Sequence, residues 1–116
     1  MNVLVTGEKD FTDIEYMRSC LIKLYKQGKL VEPWNLVCLM YVGADECAYT
    51  LAYEHQLGTY ECPSDEDVLG PDDGRLQNMQ AEILADVLVI VGEVKSQRLN
   101  NLAKLFMKHN KPIYRM

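Results

Sequence analysis

Short continuous apolar runs alternate along this chain with stretches in which apolar residues recur at helical spacing, so strands and helices are predicted in turn. Met1 to Val5 reads as a buried parallel strand, which Thr6-Gly7 breaks. Thr12 then stands as an N-cap with Glu15 three residues on, a capping box, and Phe11 and Tyr16 are placed to pack across it as a hydrophobic staple. The spacing predicts a first helix over Asp13 to Gln27, with Ile14, Met17, Leu21, Leu24 and Tyr25 on its inner stripe and Gly28 at its end. Lys29 to Trp34 is a connector. Asn35 to Val42 reads as a second strand ended by Gly43. A second helix from Ala44 or Asp45 to Gln56 carries a small-residue face (Ala44, Cys47 or Ala48, Leu51, Ala52), and Gly58 closes it.

Thr59 to Cys62 reads as a short third strand and Pro63 to Asp73 as a loop. The third helix, Gly74 to Leu84, is predicted to turn Leu76, Met79, Ile83 and Leu84 inward. Asp86 to Val91 is the clearest strand, ended by Gly92. After a turn at Glu93 to Lys95, Ser96 caps a last helix whose stripe is Leu99, Leu102, Ala103, Phe106 and Met107. Asn110 and Pro112 stop it, and Pro112 to Arg115 forms an edge strand.

Strands alternating with helices of this length call for a parallel sheet covered on both faces. Right-handed crossovers put the first strand in the centre. The predicted fold is therefore α/β: a Rossmann-like three-layer sandwich, one domain over residues 1–116, with a five-stranded parallel sheet of order 3-2-1-4-5. Ligands in such sheets sit at the carboxyl ends of the strands, beside the point where the order reverses. The segments Thr6–Phe11, Gly43–Glu46 and Gly92–Ser96 are all expected there. The first of them also offers backbone N–H groups at a helix start, which suit phosphate or carboxylate.

The chain has 116 residues, 48% hydrophobic and 25% charged, which is ordinary for one globular domain. Its net charge of −5 is concentrated in the acidic stretch Glu61–Asp73, and elsewhere acids and bases nearly balance. No basic stripe is present, which argues against nucleic acid as a partner. No apolar run is long enough to cross a bilayer, and the first residues form a strand pattern and not a signal peptide, so a cytoplasmic protein with no membrane partner is expected. Cys20, Cys38 and Cys47 read as buried thiols, and Cys62 beside Pro63 as the exposed one. None has zinc-ligand spacing, and His55 and His109 read as helix-end residues, so no metal site is expected.

The segment Thr6-Gly7-Glu8-Lys9-Asp10-Phe11-Thr12-Asp13 resembles the T-G-x-R-D-[FY]-T-D turn of the SLOG superfamily, in particular its YspA-type branch, with Lys9 in place of arginine. Gly43-Ala44-Asp45 is similar to the end of that family's glycine-rich second loop, whose earlier glycines are replaced by Leu39 and Met40. Gly70-Pro71, Gly74 and Asn78 are similar to its G-P-x-R-N helix start, with Gln77 for the arginine. Ala85-Asp86 matches the family's fourth-strand entry. Ser96 is what remains of a G-x-S-x-G-T loop. The resemblance implies a Rossmann-like domain that binds a nucleotide or nucleotide-derived ligand, and a homodimer. The ligand-binding residues it and the topology single out are Thr6, Gly7, Glu8, Lys9, Asp10, Gly43, Ala44, Asp45, Asn78, Gly92 and Ser96. Lys9 would neutralise phosphate, while Asp45 or Asn78 would hydrogen-bond sugar or base. Side chains at Leu39 and Met40 would obstruct the approach of backbone to an anion, and Arg98 or Leu99 would crowd the last loop.

Catalysis has thin support. The P-G-G-x-G-T-x-x-E loop of related N-glycosidic hydrolases is missing, and no Ser–His–Asp or Cys–His arrangement stands in for it. A receiver-type phospho-acceptor domain would need acids where Thr6-Gly7 and Cys62-Pro63 stand. Glu46 is a weak catalytic candidate, since glutamate in the first turn of a helix is more often a dipole partner. Glu8 and Asp10 around Lys9 form a charge cluster able to order a ribose. The leading expectation is a binding domain with no cofactor. The alternatives are a degenerate scaffold acting by protein contact through its acidic loop, as a phage-borne inhibitor would, and an N-glycosidase or nucleotide hydrolase using Glu46.

Overall fold

The apolar runs pair into one sheet. The structure is a computed structural model describing residues 1–62 and 75–116. Its strands are β1 (Asn2–Gly7), β2 (Asn35–Cys38), β3 (Thr59–Glu61), β4 (Val87–Val91) and β5 (Ile113–Arg115). All are parallel, in the order β3-β2-β1-β4-β5. The described helices are α1 (Ile14–Lys26), α2 (Ala44–Glu54), α3 (Arg75–Leu84) and α4 (Gln97–Lys108). The period-two alternation of the strands divides the core between the two faces of the sheet. Val3, Val5, Leu36, Cys38 and Val89 pack with Met17 and Leu24 of α1 and Ala48 and Leu51 of α2. Leu4, Val37, Leu88 and Ile90 pack with Ala81 of α3 and Leu102 and Phe106 of α4.

Several elements depart from their predicted form. β1 does not break at Thr6-Gly7, because both residues stay in register with Ile90 and Val91 of β4. β2 ends at Cys38, and Met40 turns the chain with a φ of 68°. Asp13, and not Thr12, caps α1: its carboxylate accepts the Tyr16 N–H at 3.0 Å. Glu15 is drawn instead to Arg18, one turn along, so the capping box does not form. The staple does, with the Phe11 and Tyr16 rings 6.4 Å apart. Gln56 at φ 56°, and not Gly58, takes the left-handed position after α2. His55 and His109 are indeed the C-caps of α2 and α4. Cys62, expected outside, is fully buried, and the other three thiols are buried too. The Pro63–Asp73 loop, with Gly70, Pro71 and Gly74 of the SLOG-like pattern, lies outside the described residues.

The largest departure is α3, which is turned over relative to its pattern. Leu76, Met79 and Ile83 are 45%, 45% and 73% exposed, and only Leu84 of the expected stripe packs partly inward. Gln77, Asn78, Ala81 and Glu82 are the buried side chains. Each polar member has a specific duty. Gln77 donates its amide to the carbonyls of Leu39 and Cys62, Asn78 donates to the Arg98 carbonyl at 3.2 Å, and Glu82 binds His109 and Lys111 at 2.8 and 3.1 Å. Gln77 thereby closes the carbonyls just past the ends of β2 and β3, where unpaired carbonyls are costly to bury.

Candidate functional site

The carboxyl ends of β1, β2 and β4 meet at one rim, as the strand order requires. Thr6 follows Leu4 in phase, so its side chain points to the α3–α4 face and is fully buried. Its hydroxyl donates to Asp45 Oδ1 at 2.6 Å. Asp45 opens α2 and is 3% exposed, and its Oδ2 has no partner among the described residues. Burial pushes this carboxyl up to about 6, against the Thr6 hydroxyl, the Arg98 charge and the Tyr41 N–H, all of which favour the ionised form.

Arg98, in the first turn of α4, lies over the Tyr41 ring with its guanidinium carbon 4.0 Å from the ring centre. It reaches the Gly7 carbonyl through Nη2 at 3.4 Å, while Nη1 is buried without a partner among the described residues. Asn78 Oδ1 and Gln77 Oε1 are in the same condition. Lys9 approaches the same Tyr41 ring, Nζ standing 4.9 Å from its centre.

Glu8 behaves unlike a loop carboxylate. It is 9% exposed and accepts the backbone N–H of Ser96 at 2.6 Å and that of Lys95, at the start of α4. These are the amides that an anion would take at a helix N-terminus. Burial opposes the charge on Glu8, yet the two amides, the Ser96 side chain and Arg98 outweigh it and hold its carboxyl below the ordinary glutamate value. Glu8→Gln is expected to cost about 1–3 kcal/mol at neutral pH, since at least one part-buried amide loses a charged acceptor. Because the folded carboxyl is the more acidic, that advantage is present above the unfolded glutamate pKa and lost as pH falls through the folded one. Urea midpoints of the two proteins at pH 7 and at pH 3 check this, the gap closing at the lower pH.

The glycines of the motifs serve packing. A Cβ on Gly7 would stand 2.6 Å from the Val91 carbonyl oxygen and 2.8 Å from the Ala44 methyl, so α2 starts hard against β1. Gly43 lies against the backbone of Lys9, and the Ala44 N–H donates to the Glu8 carbonyl at 3.2 Å. Gly92, at φ 86°, faces the Phe11 ring. Asp10 pairs with Lys95 at 3.2 Å on the surface. Glu8 and Asp10 thus meet at Lys95, one on its backbone amide and the other on its ammonium, while Lys9 turns away to the Tyr41 ring, so the two acids do not gather around Lys9.

All eleven predicted binding residues lie at or beside this rim. Glu46 is exposed and lines an open groove of about 490 Å³ with Lys9, Phe11, Thr12, Val42 and Thr50, on the α1–α2 side. Of the two residues in place of the second loop's glycines, Leu39 is drawn into the core and Met40 is half exposed. Leu99 likewise goes into the core. Sequence reasoning missed the roles of Tyr41, Gln77 and Arg98. Among the described residues, no cluster of three or more His, Cys, Asp or Glu is placed to hold a metal ion. No helix among the described residues is long and apolar enough to cross a membrane.

The fold and rim define a Rossmann-like parallel α/β domain whose strand order reverses beside β1. Comparison with protein-family models, curated proteins and solved structures finds no match for the chain.

Proposed function

We propose that this domain binds a nucleotide or nucleotide-derived small molecule at the carboxyl rim, sensing or sequestering it without chemistry, in the manner of a SLOG-type domain. The observation that carries the reading is the set of buried polar atoms without partners among the described residues: Asp45 Oδ2, Gln77 Oε1, Asn78 Oδ1 and Arg98 Nη1. Native interiors leave few such atoms, and a group of them beside converging loops marks a place that a polar guest completes. Three of the four are acceptors, which suits the hydroxyls of a ribose or the amino groups of a base. Reaching them requires the covering side chains to part, with Tyr41 first among them. With Glu8 on the α4 amides, Lys9 is left as the cation for phosphate. Calorimetry with mono-, di- and cyclic nucleotides is expected to give saturable heat, with Lys9→Ala weakening phosphorylated ligands about ten-fold, the size of one modest charge contact. Uniform lack of heat would overturn the reading.

A second reading, action by protein contact or as a homodimer, has one observation behind it: the outward apolar stripe Leu76, Met79 and Ile83 on α3. A self-association abolished by Ile83→Lys and kept in Lys9→Ala, with no nucleotide heat, would favour it over the first.

A further inference from the structure

We infer that the cleft between α1 and α2, at the amino-terminal edge of the sheet, is a binding site for a small aromatic amine, with its ring among the apolar walls and its ammonium facing Glu32. The cleft encloses about 290 Å³. That is close to the lower end of small-molecule sites, roughly 300 Å³. It lies at the opposite end of the strands from the rim, since Trp34 and Leu36 bound the start of β2 and Leu57 precedes β3. Its origin is legible in α2. Ala48 and Ala52, one turn apart and almost fully buried, present only methyl groups where larger side chains would meet α1. The space left between the helices is walled by Leu21, Leu51 and the rings of Tyr25 and Trp34.

The mouth stays apolar, with Ile22 and Tyr25 47% and 49% exposed, so a guest that covers them gains hydrophobic free energy.

Charge selects the guest. Arg18, the cation on the cleft, is already held by Glu54 at 3.1 Å and Glu15 at 3.3 Å, and its Nη1 is 3.5 Å from His55 Nε2. Glu32 is exposed and has no ion-pair or hydrogen-bond partner among the described residues. An anionic guest would have to compete with two carboxylates for Arg18 and would face a third. A cationic one meets an uncompensated carboxylate and two aromatic rings, in a chain of net charge −5.

Trp34 is the only tryptophan in the chain, so its fluorescence reports on this cleft alone. Titration with 2-phenylethylamine is expected to give a saturable change, with 3-phenylpropionate and butylamine each weaker by about ten-fold or more. Glu32→Gln, an exposed change that leaves the melting temperature in place, should bring the amine and the carboxylate to near parity. Ala52→Leu should abolish the amine response by filling the space, and Lys9→Ala should leave it intact, which separates the cleft from the rim. The proposal is overturned by equal or tighter binding of the carboxylate in the native chain, by no saturable change, or by a concentration-dependent dimer that accounts for the Trp34 signal.

Discussion

Gly43→Ala is expected to destabilise the domain by about 3–5 kcal/mol, the sum of a strained backbone and a steric clash with neighbouring backbone. Gly43 caps α2 at φ 78° and ψ −121°, a conformation that L residues rarely adopt. A methyl group there would lie 2.3 Å from the Lys9 carbonyl oxygen, 2.5 Å from its carbon and 2.7 Å from the Glu8 carbonyl oxygen. All three atoms are backbone, so no rotamer relieves the contact. Moving that backbone disturbs the Glu8 carbonyl, which accepts both the Phe11 and the Ala44 N–H at 3.2 Å. Gly28→Ala is the matched control. Gly28 also has positive φ, at 74°, but a Cβ there meets nothing within 4 Å, so only the backbone cost of about 1 kcal/mol applies. Urea denaturation of both variants measures the difference, and equal losses would contradict the packing described at the rim.

Asp45→Asn is expected to stabilise the folded chain at pH 8, by up to about 3 kcal/mol, and to weaken the nucleotide binding proposed for the rim. The native carboxyl ionises near 6 when folded against 3.8 as an ordinary aspartate. A folded pKa above the unfolded one means that the ionised group opposes folding. The penalty is complete above pH 6, shrinks as pH falls and the folded state takes up its proton first, and is gone below the unfolded value. Asparagine keeps an oxygen for the Thr6 hydroxyl and carries no charge. The variant's advantage should therefore be largest at pH 8, fall between pH 6 and 4, and vanish below that. Urea midpoints at these values test it, and a constant difference would mean that the carboxyl is not the source. A charge retained at such a cost in a rim position fits a group selected for binding.

The architecture was legible because its central strands, β1 and β4, carry continuous apolar runs. Val87–Val91 and Val3–Val5 leave no alternative to burial on both faces, and the alternation with helices then restricts the order. The face of α3 was not legible. Its periodicity selects Leu76, Met79 and Ile83, but the carbonyls of Leu39 and Cys62 need donors, and Gln77 supplies them, while Asn78 ties the helix to Arg98. Pattern reading weighs apolar area and has no account of distant unpaired carbonyls. At the rim, the strand–turn–helix junctions pointed to Thr6 and Asp45, and the SLOG-like pattern to Asn78. Their companions Tyr41 and Arg98 depend on contacts across the sheet, such as that from Arg98 to Gly7, and no local spacing announces them. Glu8 did leave a signal that was passed over. It continues the phase of Leu4 and Thr6 along β1, so the pleat itself aims its carboxylate inward.

That inward carboxylate makes the junction of β1 and α4 self-liganded. A rival oxyanion in solution competes with a tethered one whose local concentration is fixed by a few covalent bonds and lies on the order of millimolar or above. Free phosphate or sulfate therefore gains little hold on the Lys95 and Ser96 amides, which already have their oxyanion.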